Sequence, residues 1–363
     1  MKKICIAIHG LAHAGAERVA ASWANYLVRQ GHSVAVLVYA PCEDTYDLDE
    51  RVKILPVASD RDDYFQMPKI KQLSAMRKIL HSVKPQVLIS FLPKMQINMM
   101  FATLGMRLKR IETVRNNPWV DTDVGKKRVL WNLCFWRSDK IIVQTQEQSL
   151  YFPKILQKRC VVISNPISPE FLGNKKEYSE LEARKFVAAA RLSPQKNYPM
   201  MIRAFARAAA GHPDCTLDIF GAGSPETVQE MESLIDQLGM RGKIRLRGWM
   251  QNISEELIKY DAFLMSSNYE GMPNALAEAM ATGLVCLSTD CKTGPKDMIA
   301  PGVTGFLVVT GDEQSFAEGI EAILSQPLPE RRTMGNASRE KILTMCSEEN
   351  TLAVLNQLIE SQL

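Results

Sequence analysis

The stretch Ser266-Ser267-Asn268-Tyr269-Glu270-Gly271-Met272-Pro273-Asn274-Ala275-Leu276-Ala277-Glu278-Ala279-Met280-Ala281-Thr282-Gly283 joins a strand end, a turn and a helix in one short segment. The apolar run Phe263–Ser266 that leads into it predicts a buried strand. Gly271 and Pro273 shape the turn, and Asn274 is expected to cap the helix that follows. Backbone N–H groups of Met272, Asn274, Ala275 and Leu276 would then point out of the helix start, as an anion requires. Glu270 precedes the turn and Glu278 rides on the helix. A carboxylate accepts hydrogen bonds from two vicinal hydroxyls, so two of them suit a sugar and a ribose. The alternative, two unrelated surface acids, leaves the turn between them unexplained.

Working outward, the same strand–turn–helix unit recurs along the chain. Ile4–Ile8, Ser33–Tyr39, Val52–Val57, Val87–Phe91, Ile111–Val114, Ile141–Gln144 and Val161–Ser164 read as strands, with helical stretches between most of them. One helix is expected over Glu17–Gln30, with Val19, Ala20, Trp23 and Leu27 on its inner face and Gly31 ending it. After Asn165-Pro166-Ile167-Ser168-Pro169 and a charged stretch, a second alternation begins at Phe186–Ala190. It continues through Leu217–Phe220, Ile244–Arg247, Phe263–Ser266, Val285–Ser288 and Phe306–Val309. Alternation of this kind predicts mainly parallel sheets covered on both faces. With 363 residues, two such domains are expected, 1–173 and 174–347, with the last helix, about 348–363, packing back on the first.

Ligands of open α/β sheets sit at the carboxyl ends of strands, and two further loops fall there. His9-Gly10-Leu11-Ala12-His13-Ala14-Gly15-Ala16-Glu17-Arg18 joins the first strand to the first helix. Its small residues allow close approach of a phosphate, although a tight turn would read the same way. It lacks the G-x-G-x-x-G spacing, which disfavours a dehydrogenase. Ala190-Arg191-Leu192-Ser193-Pro194-Gln195-Lys196-Asn197 offers a guanidinium fork and an ammonium point charge on one loop. They are either a diphosphate clamp or two solvated charges.

Taken together, Glu270-x7-Glu278 with its Gly-x-Pro turn and trailing Ala-x-Gly resembles the signature of the retaining family 4 glycosyltransferases of GT-B fold. The likeness covers nearly the whole chain, through Gly15–Arg18, Asn165-Pro166-Ile167, Arg191 and Lys196, Gly221-Ala222-Gly223 and Thr293–Ile299. That last segment is similar to members that build bacterial surface polysaccharide or lipid-linked oligosaccharide. The resemblance implies two Rossmann-like domains facing across a cleft, the first binding the acceptor and the second the nucleotide-sugar donor. It implies that Arg191 and Lys196 neutralise the leaving diphosphate, that Glu270 holds the donor sugar and that Glu278 holds the ribose. Gly15, Ala16, Gly221 and the Gly271–Leu276 turn would approach the donor, expected to be a UDP-sugar. The acceptor would meet His13, Arg115 and Asn116, and be a glycan or a polyprenyl-linked species. Ala14 and Ala190 stand where the family usually has Gly, which is tolerable while φ stays negative. Arg115-Asn116-Asn117-Pro118 stands where the family often has His. No metal or other cofactor is expected; Asp121-Thr122-Asp123 only imitates the metal motif of a different fold. A sugar-nucleotide epimerase or hydrolase of related fold, or an inactive binding subunit, are the competing readings.

Composition is ordinary for a globular chain, 46% hydrophobic and 23% charged. The start reads as a buried strand rather than a signal peptide, and no apolar run approaches the ~20 residues of a membrane span. Eight scattered cysteines show no metal spacing and are expected as thiols of a cytoplasmic protein. Charge is uneven: residues 1–173 carry 25 Lys+Arg against 15 Asp+Glu, the remainder 19 against 25. A basic first half suggests an anionic partner. Its basic residues are not interleaved with aromatics, which disfavours nucleic acid. A helix over 68–84, with Ile70, Leu73, Met76, Leu80 and Val83 on one face, is either core-facing or lipid-adsorbing. The charge split favours an anionic membrane surface, the inner face of the cytoplasmic membrane, met by the first domain.

Overall fold

The structure, a computed structural model, describes residues 1–12, 15–43, 45–120, 127–178 and 184–361. The chain divides into two compact units, Met1–Pro166 with Glu348–Leu363, and Ile167–Ser347. Each is built on a parallel sheet.

In the first unit the strands are β1 (Lys3–Ala7), β2 (Ser33–Val38), β3 (Lys53–Pro56), β4 (Val87–Ser90), β5 (Lys109–Thr113), β6 (Lys140–Val143) and β7 (Cys160–Val162). They lie in the order β3-β2-β1-β4-β5-β6-β7. The central strands are short and apolar, and β1 and β4 are buried along almost their whole length, as a sheet covered on both faces demands. β3 is largely exposed and ends in Pro56, which an edge position tolerates. The second unit repeats the plan with β8 (Lys185–Ala189), β9 (Thr216–Phe220), β10 (Ile244–Gly248), β11 (Ala262–Met265), β12 (Val285–Thr289) and β13 (Phe306–Val308), ordered β10-β9-β8-β11-β12-β13. In each sheet the winding reverses once, between β1 and β4 and between β8 and β11. These reversals are the topological switch points at whose carboxyl edge such sheets receive ligands. The architecture is α/β with two Rossmann-like halves, the GT-B fold.

The division falls at Pro166/Ile167, seven residues before the 173/174 boundary expected from sequence. The short helix Pro169–Gly173 is the reason. Phe171 is buried among Leu276, Met280 and Ile342 of the second unit, and Arg339 donates to the carbonyls of Leu172 (2.6 Å) and Asn174 (3.2 Å). At the other end the chain returns to the first unit. Leu352, Leu355, Leu358 and Ile359 join the core around Trp23 and Leu27. Lys2 Nζ donates to the carbonyls of Ile359 (3.0 Å) and Glu360 (2.8 Å), which stitches the two chain ends together.

The helix Lys69–Val83 is core-facing. Met76 and Leu80 are fully buried, Arg77 donates to the carbonyls of Ala102 and Leu104, and Lys69 Nζ lies 2.6 Å from Asn98 Oδ1. Its apolar stripe is internal packing, with only Ile70 in the first turn strongly exposed, so of the two readings of this stripe the core-facing one holds. None of the eight cysteines forms a disulfide. Burial pushes the thiols of Cys5, Cys291 and Cys346 up to about 12, which keeps them protonated and inert.

Candidate functional site

In the second unit β8 and β11 are neighbours, so the loops that leave them emerge side by side. The first carries Ala190–Asn197 and the second Ser266–Pro273. Their backbones are tied directly: Asn268 N donates to Gln195 O (2.8 Å), Asn268 Nδ2 to Pro194 O (3.0 Å), and Ser266 Oγ to Lys196 O (2.8 Å). A third loop closes from β9. Gly221 has φ +152°, and a Cβ there would stand 1.8 Å from the Ala190 carbonyl oxygen, so only glycine lets the two strand ends approach. Ala190 itself is not among the residues with positive φ, and its methyl group is accommodated.

The hub of the site is Glu270, only 5% exposed. Its Oε1 receives Lys196 Nζ at 2.5 Å and Ser267 Oγ at 2.6 Å, and its Oε2 receives Gln195 Nε2 at 3.3 Å. A buried carboxylate needs such donors, because desolvation of an unpaired charge is costly. Three donors still leave lone-pair capacity on an ionised carboxyl group. The backbone is braced from β12's loop: Thr293 N and Oγ1 each lie 3.0 Å from Glu270 O, and Glu270 N donates to Lys292 O (3.2 Å). Arg191 is exposed, and its side chain makes no hydrogen bond or ion pair among the described residues. Its fork is available to an incoming anion.

The helix Asn274–Ala281 begins beside this hub. Pro273, not Asn274, is the N-cap, and its own side chain offers no cap bond. The expected Asn274 cap is therefore corrected: Pro273 is extended (φ −72°, ψ 106°) and Asn274 is already helical. The first helical bond received at this end is Ala277 N to Pro273 O (3.1 Å), so the preceding amides have no carbonyl within the helix. Gly271, Met272 and Pro273 are buried, Asn274 and Ala275 half-buried, and Leu276 fully buried. Glu278 is half-buried one turn along the same helix.

In the first unit the loop after β1 leads into the helix Gly15–Arg29, which starts at Gly15 and Ala16, two residues before the expected Glu17. His13 and Ala14 lie outside the described residues. Glu17 is buried and its Oε1 lies 3.0 Å from His9 Nε2. Arg115 stands after β5, with its guanidinium over the rings of Trp23 (5.2 Å) and Phe91 (5.5 Å) and one bond to Asn165 Oδ1 (2.6 Å). Its Nε and Nη1 are buried without hydrogen-bond partners among the described residues, and burial holds its pKa down at about 9. Asn116 holds its own loop, accepting from Asn117 N at Oδ1 (2.8 Å) and from Gln148 Nε2 at its carbonyl (3.3 Å). Asp121 and Asp123 lie outside the described residues. Among the described residues no three His, Cys, Asp or Glu side chains group as a metal site would require.

Of the residues singled out in the sequence, the structure brings Lys196 and Glu270 together beside the turn, with Arg191 on the same loop as Lys196. Sequence reasoning missed Ser267, Gln195 and Thr293 as partners of Glu270. Ser267 was findable, three residues upstream across the same turn; Thr293 carries no local signal, since it arrives from another strand.

The description "Glycosyltransferase Family 4" matches residues 13–171, and "Glycosyl transferases group 1" matches residues 174–341, one on each sheet. The chain belongs to the GT-B glycosyltransferases. The enzyme is 27% identical over 350 residues to a Campylobacter jejuni α-1,4-N-acetyl-D-galactosaminyltransferase acting on a GalNAc-bearing diNAcBac-PP-undecaprenol, with 93% of each chain covered. It is 30% identical over 255 residues to an uncharacterised glycosyltransferase of Methanocaldococcus jannaschii, spanning 64% of this chain and 62% of that protein. Among solved structures, Anabaena HepE in complex with UDP and glucose superposes with TM-score 0.75 at 18% identity, covering 100% of this chain and 99% of that one. The group 1 match contains Arg191, Lys196, Glu270 and Glu278 of the glycosyltransferase; the family 4 match contains Arg115 and Asn116.

Proposed function

We propose that the enzyme transfers a sugar, with retention of anomeric configuration, from a nucleoside-diphosphate sugar to a glycan or polyprenyl-linked acceptor in surface-polysaccharide or glycoconjugate synthesis. UDP is the proposed nucleotide, since a structure of the same fold holds UDP and glucose. The observation that carries the reading is the Lys196–Glu270 pair, 2.5 Å apart at the mouth of a switch point and beside the start of the helix Asn274–Ala281. Breaking a glycosyl–phosphate bond builds negative charge on the leaving oxygen. Fixed cations and helix-start amides stabilise that charge without reorganising. Arg191 and Lys196 are assigned to the diphosphate, Glu270 to donor hydroxyls, and Glu278 to the ribose.

Retention then proceeds by front-face attack. The acceptor hydroxyl gives its proton to a donor phosphate oxygen as the new glycosidic bond forms and the nucleoside diphosphate leaves. Glu270 is not the nucleophile in this scheme; its Oε1 is committed to Lys196 and Ser267. Protein cations replace a metal. The acceptor is assigned to the first unit, near His13, Arg115 and Asn116, and the setting to the inner face of the cytoplasmic membrane. A panel of nucleotide sugars offered with glycan and lipid-linked acceptors tests this. Acceptor-dependent release of nucleoside diphosphate supports it; consumption of the nucleotide sugar without acceptor points to a hydrolase or epimerase instead.

A further inference from the structure

The helix Arg128–Trp136 is apolar on both sides. Trp131, Cys134 and Phe135 are buried in the first unit, as one side of a surface helix should be. Yet Val129 is 80%, Leu133 43% and Trp136 49% exposed, with Leu130 beside them at 37%. At about 100° per residue, positions 129, 133 and 136 fall within about 60° of one another, so they form a single outward stripe. A surface helix normally turns its apolar side chains inward and its polar ones to water, so a second apolar stripe facing outward calls for a partner. The neighbouring helix Pro93–Ala102 packs against this one, Met100 meeting Cys134, and Phe101 in its last turn and Leu104 just beyond it are 39% and 45% exposed.

The chain segment that carries this helix is cationic. Residues 127–159 carry seven Lys or Arg against two acids, Asp139 and Glu147, and Asp139 is engaged by Lys109 Nζ at 3.1 Å. Arg137 follows the stripe directly, and Arg159 donates to the carbonyls of Trp136 (3.3 Å) and Ser138 (2.8 Å), placing its guanidinium at the end of the helix. Apolar side chains, a Trp at the margin and a rim of cations match one chemistry, an anionic lipid–water interface. A second copy of this chain does not match it. A two-fold contact would set the same cations against themselves.

We infer that the helix Arg128–Trp136, with Phe101 and Leu104, is the surface by which the first unit docks on an anionic lipid bilayer. This rests on the membrane-apposed setting proposed above and gives it a face other than the helix Lys69–Val83.

The test is sedimentation of the full chain with vesicles of phosphatidylcholine alone, or with about one-third phosphatidylglycerol. Wild type is expected to bind the anionic vesicles at least roughly tenfold more tightly, and to release as salt rises from about 0.1 to 1 M. Leu133→Glu with Trp136→Glu, both at exposed positions, should lose roughly tenfold or more in affinity with unchanged melting temperature. Ile70→Glu on the other helix should bind as wild type. Equal sedimentation of the double variant, binding to neither vesicle, or release by Ile70→Glu instead would each overturn the proposal. So would a concentration-dependent dimer that the double variant abolishes, since the face would then join two copies. Transfer to a water-soluble acceptor, assayed in parallel, is expected to survive the double variant. Its absence in the wild type would count against the transferase reading and leave the docking result standing.

Discussion

Lys196 and Glu270 are 74 residues apart in the chain, and Lys196 Nζ lies 2.5 Å from Glu270 Oε1. They meet because β8 and β11 are adjacent across the switch point of the second sheet, so that two loops distant in sequence leave the sheet together. The ammonium therefore has two duties, compensating a buried carboxylate and, in the proposed reaction, facing the leaving diphosphate.

Lys196→Ala is expected to reduce transfer about 10²–10³-fold, by analogy with the loss of one oriented donor to a developing oxyanion. Steady-state nucleoside diphosphate release from purified protein measures this. Turnover within a factor of two of wild type would remove Lys196 from the leaving-group role.

Ser267 is a positioning residue for Glu270 and does not reach the donor in the proposed scheme. Ser267→Ala removes the 2.6 Å bond to Glu270 Oε1. The expected outcome is a weaker loss than for Lys196→Ala, roughly tenfold, with partial rescue in Ser267→Thr. Full activity in Ser267→Ala would show that Lys196 and Gln195 alone hold the carboxylate.

Gly221→Ala should destabilise the second unit by about 3 kcal/mol, because it combines a glycine-only φ with a backbone clash against the Ala190 carbonyl. Thermal unfolding would register the loss. An unchanged melting temperature would mean that the loops after β8 and β9 are not as closely apposed as described.

Leu355→Ala should cost about 2–5 kcal/mol, the range for a buried Leu truncation, although residue 355 lies far beyond the first unit in sequence. Hydrogen exchange locates the effect. Loosening is expected around Trp23 and Leu27 rather than around Phe205, which belongs to the second unit's core.

Glu112 sits fully buried on β5, with Arg110 Nη2 at 2.6 Å. Burial outweighs the arginine and pushes its carboxyl up to about 7. The folded value is above the unfolded one of about 4.3, so this group's contribution is complete at low pH and is lost as pH rises through about 7. Relative to Glu112→Gln, the wild type is expected to lose up to about 3 kcal/mol between pH 5 and 8 in urea unfolding. Parallel stability profiles for the two proteins would exclude this titration.

Much was legible in the sequence because it was local. Short apolar runs alternating with helical periodicity determine a parallel sheet, since strands buried on both faces have no polar side to display. Gly271, Pro273 and the flanking carboxylates are read from neighbours within a single turn. What the sequence left open was long-range. That Lys196 reaches Glu270, that Thr293 braces it, and that Arg115 lies on Trp23 and Phe91 all depend on strand order, which periodicity does not encode. Two apolar helices illustrate the same limit. The stripe on Lys69–Val83 is spent on the core, whereas Arg128–Trp136 has apolar side chains on two sides and keeps one of them outward. The pattern of a helix states how much apolar surface it has; only packing against its neighbours decides which part of that surface is removed from water.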